Sequence, residues 1–122
     1  MPETEKWQLA KEQARKALIG RARLRGMIPY SDLAPQITAL PMRAHDVRLF
    51  DLLGEISREE DAVGRGMLSV IVVHKIGDMQ PGPGFFELAH QLGRDTSDIL
   101  RCWIDETKKV HRFWSKPGQI LN

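Results

Sequence analysis

Residues 67–74 read Met67-Leu68-Ser69-Val70-Ile71-Val72-Val73-His74 and include the longest apolar run of the chain. Its centre is β-branched, which is typical of a strand that other elements cover on both faces. The stretch therefore predicts a central strand, with Val70 and Val72 facing one side and Ile71 and Val73 the other. Segments 79–80, 85–86 or a second chain are the candidates for its neighbouring strands.

Helical periodicity surrounds this strand on both sides. Before it, the spacing of apolar residues predicts helices at 4–25 and 31–40, and a third from Arg43 or Ala44 onward. The third helix is expected to bury Val47, Phe50, Leu53 and Ile56. The charged segment 57–66 reads as a loop. After the strand, a glycine- and proline-rich loop at 77–84 precedes predicted helices at 85–92 and 96–114.

Length and composition bound the class of protein. The chain has 122 residues, of which 42% are hydrophobic and 28% charged, and these values fit one globular domain spanning 1–122. Cys102 is the single cysteine, so the chain has no internal disulfide. No signal-like or membrane-spanning segment is apparent. We therefore expect a cytoplasmic protein that does not contact membranes and has no cofactor.

Two helices separated by a tight break and followed by a strand match the outline of a winged helix. The predicted fold is therefore α+β and mostly helical, with a winged-helix-like three-helix core and a small β element. Such a fold suggests DNA as the partner. The expected phosphate contacts are the cations of the first and third helices: Lys16, Arg21, Arg23, Arg25, Arg43 and Arg48.

The third helix weakens the DNA hypothesis. It would be the one offered to the major groove, yet it carries Asp46, Asp51 and Glu55 against two arginines. Because phosphate neutralisation dominates duplex binding, the basic end of the first helix is the better candidate for contacting DNA. The simpler alternative is that these helices only cover a sheet.

The glycine-bearing loop before residue 85 suggests an anion site. Backbone N–H groups at the start of a helix favour negative ligands, and Gly82 and Gly84 would supply them, with Arg65 or Lys75 as the charged partner. The spacing matches neither the phosphate-loop nor the dinucleotide pattern. A tight connection between strand and helix explains the same glycines.

A small enzyme is the alternative from a different class, with a site around Glu55, Arg65 and the loop 81–86. No nucleophile and base stand at a recognisable spacing, and the histidines have no metal-ligand partner at the required distance in sequence. We therefore predict no catalytic residue and no metal site.

Aromatic residues near the two chain ends suggest a protein partner as a further possibility. Trp7, Trp103, Phe113 and Trp114 lie on the first and last helices. Tryptophan is enriched at interaction hot spots but is equally common as a core anchor. We expect Trp7 and Trp103 to be core residues, and leave Trp114 open.

Three segments in the middle of the chain carry a resemblance to an uncharacterised group of small bacterial proteins. They are Leu53-Gly54-Glu55-Ile56-Ser57, then Gly64-Arg65 before Met67-Leu68-Ser69, then Pro81-Gly82 before Gly84-Phe85-Phe86. The resemblance implies a class of protein and no mechanism.

A second resemblance, in outline, is to the winged-helix-like C-terminal domain of the DNA alkyltransferases. It rests on Ile28-Pro29-Tyr30-Ser31-Asp32-Leu33-Ala34 and on the strand with its glycine-bearing turn. The acceptor cysteine of that family has no match here, since Cys102 lies on the last predicted helix. The resemblance thus implies a fold outline and no alkyl transfer.

Taken together, these features predict a non-catalytic binding module with DNA as first partner and a protein as second.

Overall fold

The computed structural model describes residues 2–75 and 81–116. The α-helices are α1 (Pro2–Arg23), α2 (Tyr30–Leu33), α3 (Val47–Ala62), α4 (Pro83–Gln91) and α5 (Ile99–Ser115). The strands are β1 (Ile28–Pro29) and β2 (Val72–Val73), and short 3₁₀ helices lie at Ala34–Gln36 and Leu68–Ile71. The buried hydrophobic residues of all five helices and both strands contribute to the core.

The first helix buries a narrow stripe of residues spaced by four, Ala10, Ala14, Leu18 and Ala22. Three of the four are alanine, so neighbouring helices can approach the α1 backbone closely. The predicted helix at 4–25 is confirmed. It ends in a turn in which Arg25 takes a left-handed φ of 55°. The Arg21 guanidinium donates to the Met27 carbonyl oxygen at 2.7 Å and holds that turn.

Two features of α3 differ from the prediction. The helix begins at Val47 instead of 43 or 44, because the Asp46 carboxylate accepts from the Arg48 N–H at 2.9 Å and caps it. Val47 is 70% exposed and Phe50 is 43% exposed, so the expected face was wrong in half of its residues. The buried stripe is instead Leu49, Leu52, Leu53 and Ile56, followed by Ser57 and Glu60.

The charged segment 57–66 is mostly helix, and the predicted loop there was wrong. The helix continues to Ala62, and a turn follows in which Gly64 and Gly66 have positive φ. The predicted helix at 31–40 is also shorter than expected, because α2 stops at Leu33 and a 3₁₀ turn containing Pro35 replaces its continuation.

The stretch 67–73 is buried throughout, as expected of a covered segment, but only two of its residues form a strand. Val72 and Val73 pair in parallel with Ile28 and Pro29. Leu68–Ile71 forms a 3₁₀ helix because Ser57 ties it to α3: the Ser69 N–H donates to Ser57 Oγ at 3.0 Å, and the two hydroxyls lie 2.6 Å apart. Candidate partner strand 79–80 falls outside the described residues, and 85–86 lies in α4.

The last two helices agree well with the predicted ones. Gly93, just past the end of α4, has a φ of 88°. Asp98 caps α5, accepting from the Arg101 N–H at 3.0 Å. Ile99 was expected inside but is 49% exposed, whereas Cys102, Val110 and Trp114 are buried.

The fold class is confirmed as mostly helical α+β with a small β element. The winged-helix outline gains no support, because the two strands in the described residues run parallel, whereas a wing is an antiparallel hairpin. No helix in residues 2–75 or 81–116 is long and apolar enough to cross a membrane.

Candidate functional site

The carboxylates of α3 face cations of α1. Lys11 Nζ lies 3.1 Å from Glu55 and 2.7 Å from Glu59. The Arg15 guanidinium pairs with Glu59 and, at 2.6 Å, with Glu60. Glu55 also accepts from the Trp7 indole N–H at 3.0 Å. This interhelical cluster already supplies partners to Glu55, which the enzyme alternative placed at an active site.

The same cluster shifts two pKa values. Its hydrogen bond from Lys11 lowers the pKa of Glu59, and Arg15 adds to this against the opposing effect of burial. Burial works against the charge on Lys11, but the hydrogen bonds to Glu59 and Glu55 outweigh it and raise the pKa of Lys11. Both shifts favour the ion-paired state.

A second cluster joins α3, the segment after α4, and α5. Arg94 lies 2.5 Å from Asp61 and 3.0 Å from Glu106, and these carboxylates raise its pKa. Glu106 is buried and also accepts from the Met67 N–H at 2.7 Å. The carboxylates are therefore structural, and among the described residues no group of three or more His, Cys, Asp or Glu is placed to hold a metal ion.

Arg65 lies with Glu60 and away from the loop at 81–86. Its guanidinium makes two bonds to the Glu60 carboxylate, at 2.8 and 3.0 Å. It also lies over the rings of Trp114 and Phe113, with 5.6 and 6.0 Å to the centroids. The α3–α4 lining that contains Gly82 and Gly84 does not include Arg65, which the enzyme alternative placed with this loop and which the anion-site hypothesis offered as one of two charged partners.

A cavity of about 530 Å³ opens between α3 and α4, and we call it the α3–α4 cavity. Its aromatic wall consists of Tyr30, Phe50, His74 and Phe85. The Tyr30 ring lies at the centre of this wall, with its centroid 5.6 Å from Phe50 and 5.1 Å from His74. The remaining lining residues are Asp51, Leu53, Gly54, Ser69, Gly82, Pro83, Gly84, Glu87 and Leu88.

A second hollow, of about 460 Å³, continues along the same two helices toward Trp7 and Glu55. It shares six lining residues with the α3–α4 cavity: Phe50, Asp51, Gly54, Gly84, Glu87 and Leu88. Arg58 lines its far part and donates to the Gln91 side chain at 2.7 Å. Glu55 and Gly84, both part of the enzyme alternative, therefore line one hollow.

The charge of the α3–α4 cavity argues against an anion site there. Asp51 and Glu87 line it, and no described Lys or Arg does; Lys75 is exposed outside it. The amides that begin α4 are also largely occupied. The Gly82 N–H donates to Tyr30 Oη at 3.4 Å, Pro83 has no N–H, and the Phe85 N–H donates to the Gly82 carbonyl at 3.1 Å.

Burial determines the state of Tyr30 in this wall. It raises the pKa of the Tyr30 phenol, and the bond from the Gly82 N–H opposes this only in part. The phenol is therefore neutral at physiological pH. A Cβ at Gly82 would make a tight contact with His74 Nε2, at 3.3 Å, and an ordinary one with Tyr30 Oη, at 3.7 Å.

The C-terminal ends of α1 and α5 meet, and both are rich in cations. His111 on α5 donates through Nε2 to the Gly26 carbonyl oxygen at 2.9 Å and joins the two ends. Neither 16–25 nor 107–116 contains Asp or Glu. We call their cations the basic end: Lys16, Arg21, Arg23, Arg25, Lys108, Lys109, Arg112 and Lys116.

The DNA-contact candidates have different surroundings. Lys16 and Arg25 are exposed on the basic end, Arg23 is half-buried, and Arg21 donates to Met27. Arg43 is exposed but precedes α3. Arg48 is paired with Asp46 at 2.7 Å. The face expected to read the major groove therefore has little free positive charge.

Sequence reasoning missed the α5 half of the basic end and most of the cavity wall. Residue spacing in the sequence indicates part of each. Lys108 and Arg112 are four residues apart on one helix face, and Asp51–Gly54 and Gly84–Glu87 each place a carboxylate and a glycine three residues apart. What the sequence lacks is the packing of α3 against α4 that makes these pairs face one cavity.

Comparison of the chain with protein-family models, with curated proteins and with solved structures finds no match.

Proposed function

We propose that the chain is a non-catalytic, cytoplasmic binding module that attaches to the phosphates of duplex DNA through its basic end. The observation that carries this proposal is the meeting of two helix ends that hold eight cations and no carboxylate. A chain with a net charge of only +2 has separated this positive charge from its acids, which lie mainly elsewhere.

Interaction with the helix dipoles explains the positions of only some of these cations. Cations in the last turn of a helix interact favourably with its negative end, and this explains Arg21, Arg23 and Arg112. Lys16 and Lys108 lie two turns before the helix ends, where the dipole effect has faded. Contact with several DNA phosphates at once would explain the positions of Lys16 and Lys108.

Two arginines on one helix provide a matched test. Arg112 and Arg101 both lie on α5, three turns apart, and both are exposed. Arg112 belongs to the basic end, whereas Arg101 is near the start of the helix, 3.4 Å from Asp105. Arg25→Ala complements Arg112→Ala, because Arg25 is exposed at the end of α1.

The measurement is the affinity for a labelled duplex of arbitrary sequence at several salt concentrations. The parent protein should bind at low salt, and Arg112→Ala or Arg25→Ala should each flatten the slope of log K against log salt by about 0.9 for a lost phosphate contact. Arg101→Ala should leave the slope unchanged. Absence of binding at low salt, or an equal loss with Arg101→Ala, would overturn the proposal.

A protein partner is the second candidate, favoured by an apolar patch at the start of α5. Ile99, Leu100 and Ile104 are 49%, 52% and 38% exposed. A second copy of the chain is the partner we would test, by sedimentation equilibrium. Leu100→Lys should weaken any dimer, whereas Leu9→Lys, at an exposed leucine of α1, should not. A monomer throughout the concentration range would exclude self-association through this patch.

A further inference from the structure

We infer that the α3–α4 cavity is a binding site for a small organic cation with an aromatic or apolar body. The site is separate from the basic end, so the inference does not depend on DNA binding. A volume of about 530 Å³ is within the range of ligand cavities, roughly 300–1,000 Å³. Its aromatic wall and two carboxylates determine the class of ligand.

Two glycines keep the cavity open. Gly54 lies in the interior of α3, where glycine is unfavourable compared with alanine. Its φ is not positive, and a Cβ there would have no atom within 4 Å outside its own helical surroundings. The same holds for Gly84 in the first turn of α4. Neither backbone conformation nor packing in the described residues requires these glycines, and both line the cavity, whose volume a larger side chain would reduce.

The charge of the lining favours a cation. Asp51 on α3 and Glu87 on α4 are exposed carboxylates in the cavity lining, and neither has an ion-pair partner among the described residues. An anionic ligand would meet both carboxylates, and among the described amides at the start of α4 the Gly84 N–H alone would be free to donate to it. A cationic group would instead be attracted by both carboxylates.

The aromatic wall suits the same ligand. Tyr30 and Phe85 are almost fully buried, and Phe50 is partly exposed, so apolar ring surface is presented to the cavity. Organic cations are attracted to aromatic faces, and this attraction grows as water is excluded. The rings would contact the body of the ligand, while Asp51 and Glu87 would attract its ammonium or guanidinium group.

Three ligands that share an indole ring test the inference. Tryptamine carries an ammonium group, tryptophol a hydroxyl, and indole-3-propionate a carboxylate. Isothermal titration should give tryptamine a dissociation constant about ten-fold lower than that of tryptophol, as expected for added cation–π and carboxylate attraction. Indole-3-propionate should bind more weakly than either.

Variants locate the site and separate its features. Asp51→Asn and Glu87→Gln should each weaken tryptamine binding several-fold and leave tryptophol binding nearly unchanged, whereas Glu5→Gln, at an exposed acid of α1, should affect neither. Gly54→Ala should weaken all three ligands while the fold becomes more stable. Equal affinity for tryptamine and tryptophol, no detectable binding of tryptamine at millimolar concentration, or insensitivity to Asp51 and Glu87 would overturn the inference.

Discussion

Cys102 lies on the inner face of α5 and is only 6% exposed. Burial raises the pKa of its thiol, and the neighbouring Glu106 carboxylate raises it further, against the opposing effect of Arg94. The thiolate, which is the reactive form, is therefore scarce at neutral pH. Position and electrostatics both disfavour a nucleophilic role.

We accordingly expect Cys102 in the folded protein to react with an aromatic disulfide reagent far more slowly than the unfolded chain does. The measurement compares the labelling rate at pH 7.5 with and without denaturant. Rapid labelling without denaturant would mean that the α5 face opens readily, and would reinstate Cys102 as a nucleophile candidate.

Gly54 and Gly66 differ in whether the fold requires glycine at their positions. Gly66 has a φ of 90°, and a Cβ there would lie 3.1 Å from Glu106 Oε2 and 3.2 Å from Val110 Cγ2. Gly54 has ordinary helical geometry and open space beside it. The fold therefore requires glycine at position 66, whereas Gly54 destabilises α3 compared with alanine.

At the scale of the element, Gly54→Ala should stabilise α3 by about 0.5–1 kcal/mol, because alanine loses less backbone entropy than glycine in a helix. Gly66→Ala should destabilise the protein by about 1–2 kcal/mol, since it forces an alanine into a left-handed conformation and into close contact. Urea unfolding of both variants checks the signs. Destabilisation by Gly54→Ala would mean that its methyl group meets an obstacle in the helix surroundings.

The two errors in α3 have different sources, and both lie in tertiary packing. Its apolar residues form two overlapping stripes, and the sequence alone does not determine whether Phe50 or Leu49 faces the core. The charged run that suggested a loop stays helical because Glu59 and Glu60 meet Lys11 and Arg15, which lie more than 40 positions away. Periodicity predicted the existence of the helices well, because it depends on local residues only.

The position of the α3–α4 cavity was partly predictable from the sequence, but the charge of its lining was not. The turn before Phe85 was singled out as an anion site, and its Gly82 and Gly84 line the cavity. The ligand was expected to be negatively charged because Arg65 and Lys75 lie near this turn in the sequence. The residues that line the cavity are instead Asp51 and Glu87, and the packing of α3 against α4 places them there.

At the scale of the whole molecule, the charges of the described residues fall into four regions. In the interhelical cluster and in the cluster of Arg94 with Asp61 and Glu106, acids and cations pair with each other. In the α3–α4 cavity and at the basic end, the acids and the cations have no ion-pair partner among the described residues. We expect the two paired regions to contribute to stability and the other two to bind ligands. Stability and binding should therefore respond differently to pH.

The interhelical cluster predicts a loss of stability in acid. Its hydrogen bond from Lys11 holds the pKa of Glu59 in the folded protein below the ordinary value of 4.5. Near that pH the unfolded chain binds more protons than the folded one, so Glu59 stabilises the fold fully above pH 4.5 and progressively less as the pH falls toward its folded pKa. Lys11 has the opposite sign: its raised pKa means that its contribution is complete below 10.5 and is lost as the pH rises through the folded value.

Urea unfolding between pH 7 and pH 3 measures how the free energy of unfolding falls in acid. The free energy of unfolding of Glu59→Gln should lie below that of the parent at pH 7 by on the order of 0.5 kcal/mol, a modest value because the Glu59 side chain is 47% exposed and solvent screens its ion pairs. The gap should close as the pH falls below 4.5, since protonation removes the same charge from the parent. Glu5→Gln is the control and should run parallel to the parent at every pH. A constant gap between the parent and Glu59→Gln would show that the substitution acts through packing, and that the ion pairs with Lys11 and Arg15 do not contribute to holding α1 against α3.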